Sequence, residues 1–294
     1  MKRISFCLIL FLLLGIFSGC KPQDKRAEIV ATTLPVYQFT TMLCQGTDLQ
    51  VSQLVTESVS CLHDYSLSVN QVKAVEAADL VILSGAGLED FMADVLTDQQ
   101  QIDASAGIAL LESCHDHDHD HGHAHGHSHE ADAHIWLSPV NAMIMAENIY
   151  NGLVIQYPQH KALFQENLSV LRQQLQDLFD YGIKQLSQLS CQEMITFHDG
   201  FAYFADCFHL QILAAVEEES GSEASAQELI HLIEIVQHHS LPVVFTETNG
   251  ADSAAKIIAA ETGIRIETLD MAMAGEDYFT AMYHNIDTIK EAMG

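Results

Sequence analysis

Between Cys114 and Pro139 the chain reads CHDHDHDHGHAHGHSHEADAHIWLSP, and eight histidines fall there on alternate positions: His115, His117, His119, His121, His123, His125, His127 and His129. Asp116, Asp118 and Asp120 are interleaved with them. Imidazole nitrogen is a favoured ligand for zinc, copper and nickel, and neighbouring carboxylates raise the local attraction for a divalent ion. No apolar residue larger than alanine occurs between Asp116 and Ala133. The tract therefore has little to bury, and residues 115–130 are expected to be a disordered, metal-gathering loop. His134 differs in kind, because Ile135, Trp136 and Leu137 place it in an apolar, ordered setting.

Two further histidines and one aspartate stand in comparable places. His63 lies in the loop after a strand expected at Gln50 to Val55. His198 directly follows a strand expected at Met194 to Phe197, and Asp270 one expected at Ile264 to Leu269. Ligands of open parallel α/β sheets bind beyond the carboxyl ends of the strands, so residues placed there can converge. Three imidazoles and one carboxylate would supply the four N/O donors that suit tetrahedral zinc. A single histidine in such a loop is ordinarily a surface or capping residue, and it is the joint placement that points to a site. His231, His238 and His239 on one predicted helix fit a plain helix-dipole role.

The elements that must position these side chains alternate. Strands expected at Glu28 to Leu34, Gln50 to Val55, Leu80 to Leu83 and Ile108 to Leu111 are separated by helices at Val36 to Leu43, Val69 to Ala77 and Leu88 to Leu96. Apolar strands separated by helices imply a parallel sheet covered on both faces. Ser138-Pro139 is a helix start, with Ser as cap and Pro in the first turn. From Gln159 to about Leu189, Leu163, Phe164, Leu168, Leu171, Leu175 and Leu178 recur at helical spacing. A helix of about 30 residues would run roughly 45 Å, longer than one lobe needs. A second alternation follows: strands Met194 to Phe197, Gln211 to Ala215, Leu241 to Thr246 and Ile264 to Leu269, with a capping box at Ser225 and Glu228. The fold class is thus α/β, two βα halves flanking one long helix, divided as 28–158, 159–190 and 191–294.

Charge and cysteines narrow the chemistry. With 12 Lys+Arg against 40 Asp+Glu, a formal charge of −28 repels nucleic acid and attracts cations. Lys2 and Arg3, an apolar run to Phe17 and then Ser18-Gly19-Cys20 have the layout of an export signal over residues 1–19. Small residues before a cysteine resemble the lipoprotein signal, with Cys20 lipidated and residues 20–27 a polar tether. Export would permit disulfides among Cys44, Cys61, Cys114, Cys191 and Cys207, whose pairing the spacing leaves open.

Taken in order, Leu62-His63-Asp64-Tyr65, Asp132-Ala133-His134-Ile135-Trp136-Leu137-Ser138-Pro139, Phe197-His198-Asp199-Gly200-Phe201-Ala202-Tyr203-Phe204, Thr246-Glu247, Glu261-Thr262-Gly263 and Leu269-Asp270 resemble the motifs of metal-specific solute-binding lipoproteins of ABC importers. More narrowly, they resemble the high-affinity zinc uptake binding proteins. The resemblance runs from about Ile29 to Met293. It departs from the family pattern at Leu62 and Ser66-Leu67, at Ala133, and at Met271-Ala272.

The resemblance implies two Rossmann-like lobes joined by a rigid helix, with the metal between them. His63, His134 and His198 would be zinc ligands, Asp270 the fourth or a nearby carboxylate, and Glu247 a group orienting a ligand. A histidine rather than a carboxylate at position 198 favours zinc as cargo, with manganese, nickel and cobalt left open as minor cargo. The implied protein is no enzyme. It is an exported monomer, lipid-anchored at the cell envelope, in the periplasm or on the outer face of the cytoplasmic membrane. Its partner is an importer permease with its ATPase, and it binds no nucleic acid. Two other classes compete: a zinc hydrolase, which needs an open coordination position and a base, and a metal-storage or adhesin lipoprotein acting through the tract.

Overall fold

A computed structural model describes residues 28–57, 62, 65–111, 131–216, 224–248, 250–275 and 277–294. The first half comprises β1 (Glu28–Ala31), α1 (Leu34–Leu43), β2 (Gln50–Gln53), α2 (Val69–Ala77), β3 (Leu80–Leu83), a 3-10 turn (Asp90–Met92) running into α3 (Ala93–Leu96), and β4 (Gln101–Asp103). After a 3-10 turn at Ile135–Leu137 come α4 (Pro139–Gln156), another 3-10 turn (Pro158–His160) and α5 (Lys161–Leu186). The second half comprises β5 (Glu193–Thr196), α6 (Ala202–Phe208), β6 (Gln211–Ala215), α7 (Ala226–His239), β7 (Val243–Glu247), α8 (Ser253–Thr262), β8 (Arg265–Leu269) and α9 (Tyr278–Met293).

Each half builds one parallel sheet, in the order β2-β1-β3-β4 and β6-β5-β7-β8. All four residues of β3, Leu-Val-Ile-Leu, are buried, as a strand covered on both faces requires. The strand order reverses between β1 and β3 in one sheet and between β5 and β7 in the other. Ligands of such sheets sit outside the strand ends at that reversal.

The long helix is 26 residues, about 39 Å at 1.5 Å per residue. Phe164, Leu168, Leu171, Leu175, Leu178, Gly182 and Leu186 form its buried stripe. It packs against α1 and α4 on one side and α9 on the other, and so serves both halves. Main-chain and side-chain hydrogen bonds also join the halves. Leu34 N donates to Met273 O at 2.9 Å, Trp136 Nε1 to Met271 O at 2.7 Å, and Tyr278 Oη to Trp136 O at 2.7 Å.

The helix boundaries follow their caps. Ser138 accepts from Asn141 N with Pro139 in the first turn, Ser225 and Glu228 close the expected capping box, and Gly263 ends α8 in the left-handed region. Two expectations are corrected. The run Ile108 to Leu111 is not a strand; the fourth strand is Gln101–Asp103, whose only buried residue is Ile102. An edge strand needs little apolar sequence, and the chain turns away through Gly107 at φ +80°. The helix expected over Leu88 to Leu96 shrinks to a 3-10 turn and a single α turn.

At the reversal point of the first sheet, Glu89 is buried and fastens the ends of β1 and β3. Its Oε1 accepts from Thr32 Oγ1 at 2.6 Å and Ser84 N at 2.8 Å, and its Oε2 accepts from Gly85 N at 3.0 Å. Gly85, at φ +83°, lies so close to the Asp103 carboxylate and the Ser105 hydroxyl that no β-carbon fits there. Burial outweighs the three donors and pushes the Glu89 carboxyl up to about 7 from 4.5.

Between those two values the folded chain holds a proton that the unfolded chain has lost, so stability is fully present below pH 4.5 and drains away as pH rises to about 7. The expected loss is on the order of 3 kcal/mol. Urea unfolding of wild type and Glu89→Gln should show the wild-type advantage shrinking by that amount across this window. A pH-independent difference would contradict the assignment.

Candidate metal centre

His198 leaves the carboxyl end of β5 at the reversal point of the second sheet, and Glu247 ends the neighbouring β7. His134 arrives from the other half, on the turn that precedes α4. The two imidazoles meet with Nε2 atoms 3.4 Å apart and ring planes at 86°. Both are buried, at 4% and 6% relative exposure.

Each imidazole is backed by a carboxylate on its far nitrogen. Asp132 Oδ1 accepts from both His134 Nδ1 and His134 N at 2.8 Å. A carboxylate offers only lone pairs, so Nδ1 of the neutral ring carries the proton and Nε2 carries the free lone pair. The Glu247 carboxylate lies 3.7 Å from His198 Nδ1, an ionic rather than a hydrogen-bonding distance, and favours the same tautomer. Two lone pairs then face each other across 3.4 Å in a buried site, an arrangement that a shared cation or proton makes favourable.

The separation itself is informative. Two nitrogens about 2.05 Å from a tetrahedral ion stand about 3.3 Å apart. The arrangement is also kept clear of side-chain bulk. A β-carbon on Gly200 would stand 2.5 Å from Met271 Cε, 2.8 Å from His198 Cδ2 and 3.1 Å from His134 Nδ1. Glycine at 200 is required by close approach rather than by backbone conformation.

Asp270 follows β8, as expected, and is partly buried. Its main chain is locked by Asn285, which accepts from Asp270 N and donates to Asp270 O, both at 2.7 Å. Its Oδ1 accepts from Ala272 N at 2.7 Å. Among the described residues no group of three His, Cys, Asp or Glu side chains is placed to hold a metal ion, and Asp270 does not complete one with His134 and His198. His63, the eight histidines of the tract and Cys20 lie outside the described residues, as do Cys61 and Cys114. Cys44, Cys191 and Cys207 carry free thiols, and burial pushes the Cys44 thiol up to about 12, which makes it a packing group rather than a nucleophile.

Of the remaining histidines, His239 Nδ1 meets Glu193 Oε2 at 2.9 Å and His160 Nε2 meets Asp48 Oδ1 at 3.1 Å. These are ordinary surface pairs. The residue that sequence reasoning overlooked is Asp132. It stands in the quoted motif, and the available signal was an acidic residue two positions before a histidine in an apolar turn.

The family model of the zinc-uptake complex component A, periplasmic, matches residues 29–292. The zinc-binding lipoprotein AdcA of Streptococcus pneumoniae is 29% identical over 99% of this chain and 61% of its own length. The chain therefore spans about three fifths of the curated relative that it matches. The crystal structure of a protein named ZnuA is 28% identical with a TM-score of 0.78, covering 92% of this chain and all of that one. The Zn(II)-bound ZnuA-like domain of S. pneumoniae AdcA is 26% identical with a TM-score of 0.75, over 91% and 99% of the two chains. Two parallel-sheet lobes, a pair of buried imidazoles between them and a family match over nearly the whole described chain lead to one conclusion: this chain belongs to the zinc-uptake complex component A family.

Proposed function

We propose that this protein captures Zn2+ outside the cytoplasm and delivers it to an ABC importer, a permease with its ATPase. The observation that carries the reading is the His134–His198 pair, two buried Nε2 atoms 3.4 Å apart with a carboxylate behind each ring. Such outer partners fix the tautomer and raise the basicity of a metal-bound imidazole. Zinc is the cargo, held by His134, His198, His63 and Asp270, with Asp132 and Glu247 orienting the first two. In this reading residues 28–158 and 191–294 close on the ion from either side and 159–190 fixes their spacing.

The name of the S. pneumoniae relative supports zinc and a lipoprotein, and it agrees with the Cys20 signal and an envelope location. The acidic surface suits a cation carrier, and manganese, nickel and cobalt are weaker cargo for a nitrogen-rich site. The histidines of the tract form a lower-affinity reservoir. The family consists of binding proteins rather than enzymes, so the hydrolase reading is not favoured.

The test is growth under zinc limitation. A strain lacking the gene should grow poorly in chelator-treated medium and recover with added zinc or the wild-type gene, but not with His134→Ala/His198→Ala. Full rescue by the double variant would overturn the proposal.

A further inference from the structure

Tyr203 lies in the first turn of α6, five residues after His198, with its ring buried at 3% exposure. Its hydroxyl accepts a hydrogen bond from Leu111 N and donates one to Asp132 O, both at 2.9 Å. Asp132 N in turn donates to Leu111 O at 2.9 Å. Leu111 and Asp132 are the two roots of the segment that carries the eight alternating histidines. Three hydrogen bonds thus close those roots into a ring with one phenol at its centre. Burial raises the phenol above its ordinary range, so it keeps the proton that it donates. From the same residue, Asp132, the carboxylate reaches His134 N and Nδ1.

We propose that Tyr203 is a positioning residue of the metal centre: its hydroxyl pins the root of the histidine tract, fixes the Asp132 carboxylate and thereby holds His134 in the tautomer and orientation that present Nε2. This deepens the metal-site reading given above and rests on it. The strand-to-helix unit that supplies His198 then also sets its partner across the cleft.

The decisive variant is Tyr203→Phe in the full chain, which keeps the ring and removes both hydrogen bonds. Zinc affinity is read in competition with a tight chelator, at free zinc low enough to leave the tract empty. The expected loss is about tenfold, the lower end of what an outer-sphere partner contributes. The second readout is the 15N spectrum of the metal-free, histidine-labelled protein, with the His134 signals assigned by their loss in His134→Ala. Wild type should show a single Nδ1-protonated ring and Tyr203→Phe a mixture of tautomers.

Wild-type affinity in Tyr203→Phe overturns the proposal. So does lowered affinity with an unchanged His134 tautomer, which would mean that the phenol only supports the fold. If Tyr203→Phe does not fold, 4-fluorophenylalanine incorporated at position 203 fills the volume of the hydroxyl and donates nothing to Asp132 O. It should shift the tautomer in the same sense, and an unchanged ring again overturns the proposal. If His134→Ala retains the tight site, the functional reading fails, while the tautomer measurement still decides whether Tyr203 acts on His134.

Discussion

His134→Ala is expected to abolish the tight zinc site of the full chain, while deletion of residues 115–129 leaves that site in place and removes only weaker binding. The contrast follows from burial and alignment. His134 is 4% exposed, and its Nε2 lies 3.4 Å from that of His198. Losing one of these two nitrogens removes a donor and leaves a buried imidazole without its counterpart. Loss of an outer-sphere partner alone lowers metal affinity about 10 to 100-fold, so loss of a ligand should exceed about 100-fold, or about 2.7 kcal/mol. The tract histidines share no such alignment in the sequence, which interleaves them with Asp, Gly, Ala and Ser. Isothermal titration of wild type, His134→Ala and the deletion variant separates the cases. Equal tight binding by wild type and His134→Ala would contradict the assignment, and so would loss of the tight site on deletion.

Asp132→Ala should weaken zinc by about 10 to 100-fold although Asp132 touches no metal in this reading. Its Oδ1 is the common acceptor for His134 N and Nδ1, and without it the ring is free to flip or change tautomer. Asp132→Asn is the sharper variant. The amide oxygen keeps the acceptor but gives up the charge, and the amide NH2 takes the place of Oδ2, which is buried and has no hydrogen-bond partner among the described residues. Two buried donors then lack acceptors, so the variant loses stability as well as affinity. The expected order of affinity is wild type, Asp132→Asn, Asp132→Ala, read by chelator competition. Wild-type affinity in both variants would show that Asp132 does not orient His134.

Much of the frame was readable because it obeys short-range rules. The α5 stripe from Phe164 to Leu186 follows the helical period, β3 is apolar at every position, and the caps at Ser138, Ser225 and Gly263 are local signals. The short fourth strand was not readable, because an edge strand with one buried residue leaves no pattern. In the site, placement at strand ends brought out His198 and the apolar turn brought out His134.

The roles of Asp132 and Tyr203 depend on contacts that spacing does not encode. Asp132 reads as a loop carboxylate until the 3-10 turn folds His134 back over it. Tyr203 reads as one more aromatic on a helix until its hydroxyl is found between Leu111 and Asp132, residues far from it in sequence. Glu89 was passed over for a similar reason, since its burial comes from the turn around Gly85 rather than from its neighbours in sequence.

The proposed transport role depends on the binding of one zinc ion between His134 and His198. It is tested most directly by an anomalous difference map, collected at the zinc absorption edge, of the tract-deleted protein crystallised with one equivalent of zinc. A single strong peak is expected about 2.0–2.1 Å from both Nε2 atoms. A map with its zinc peak elsewhere, and none between those two rings, would contradict it.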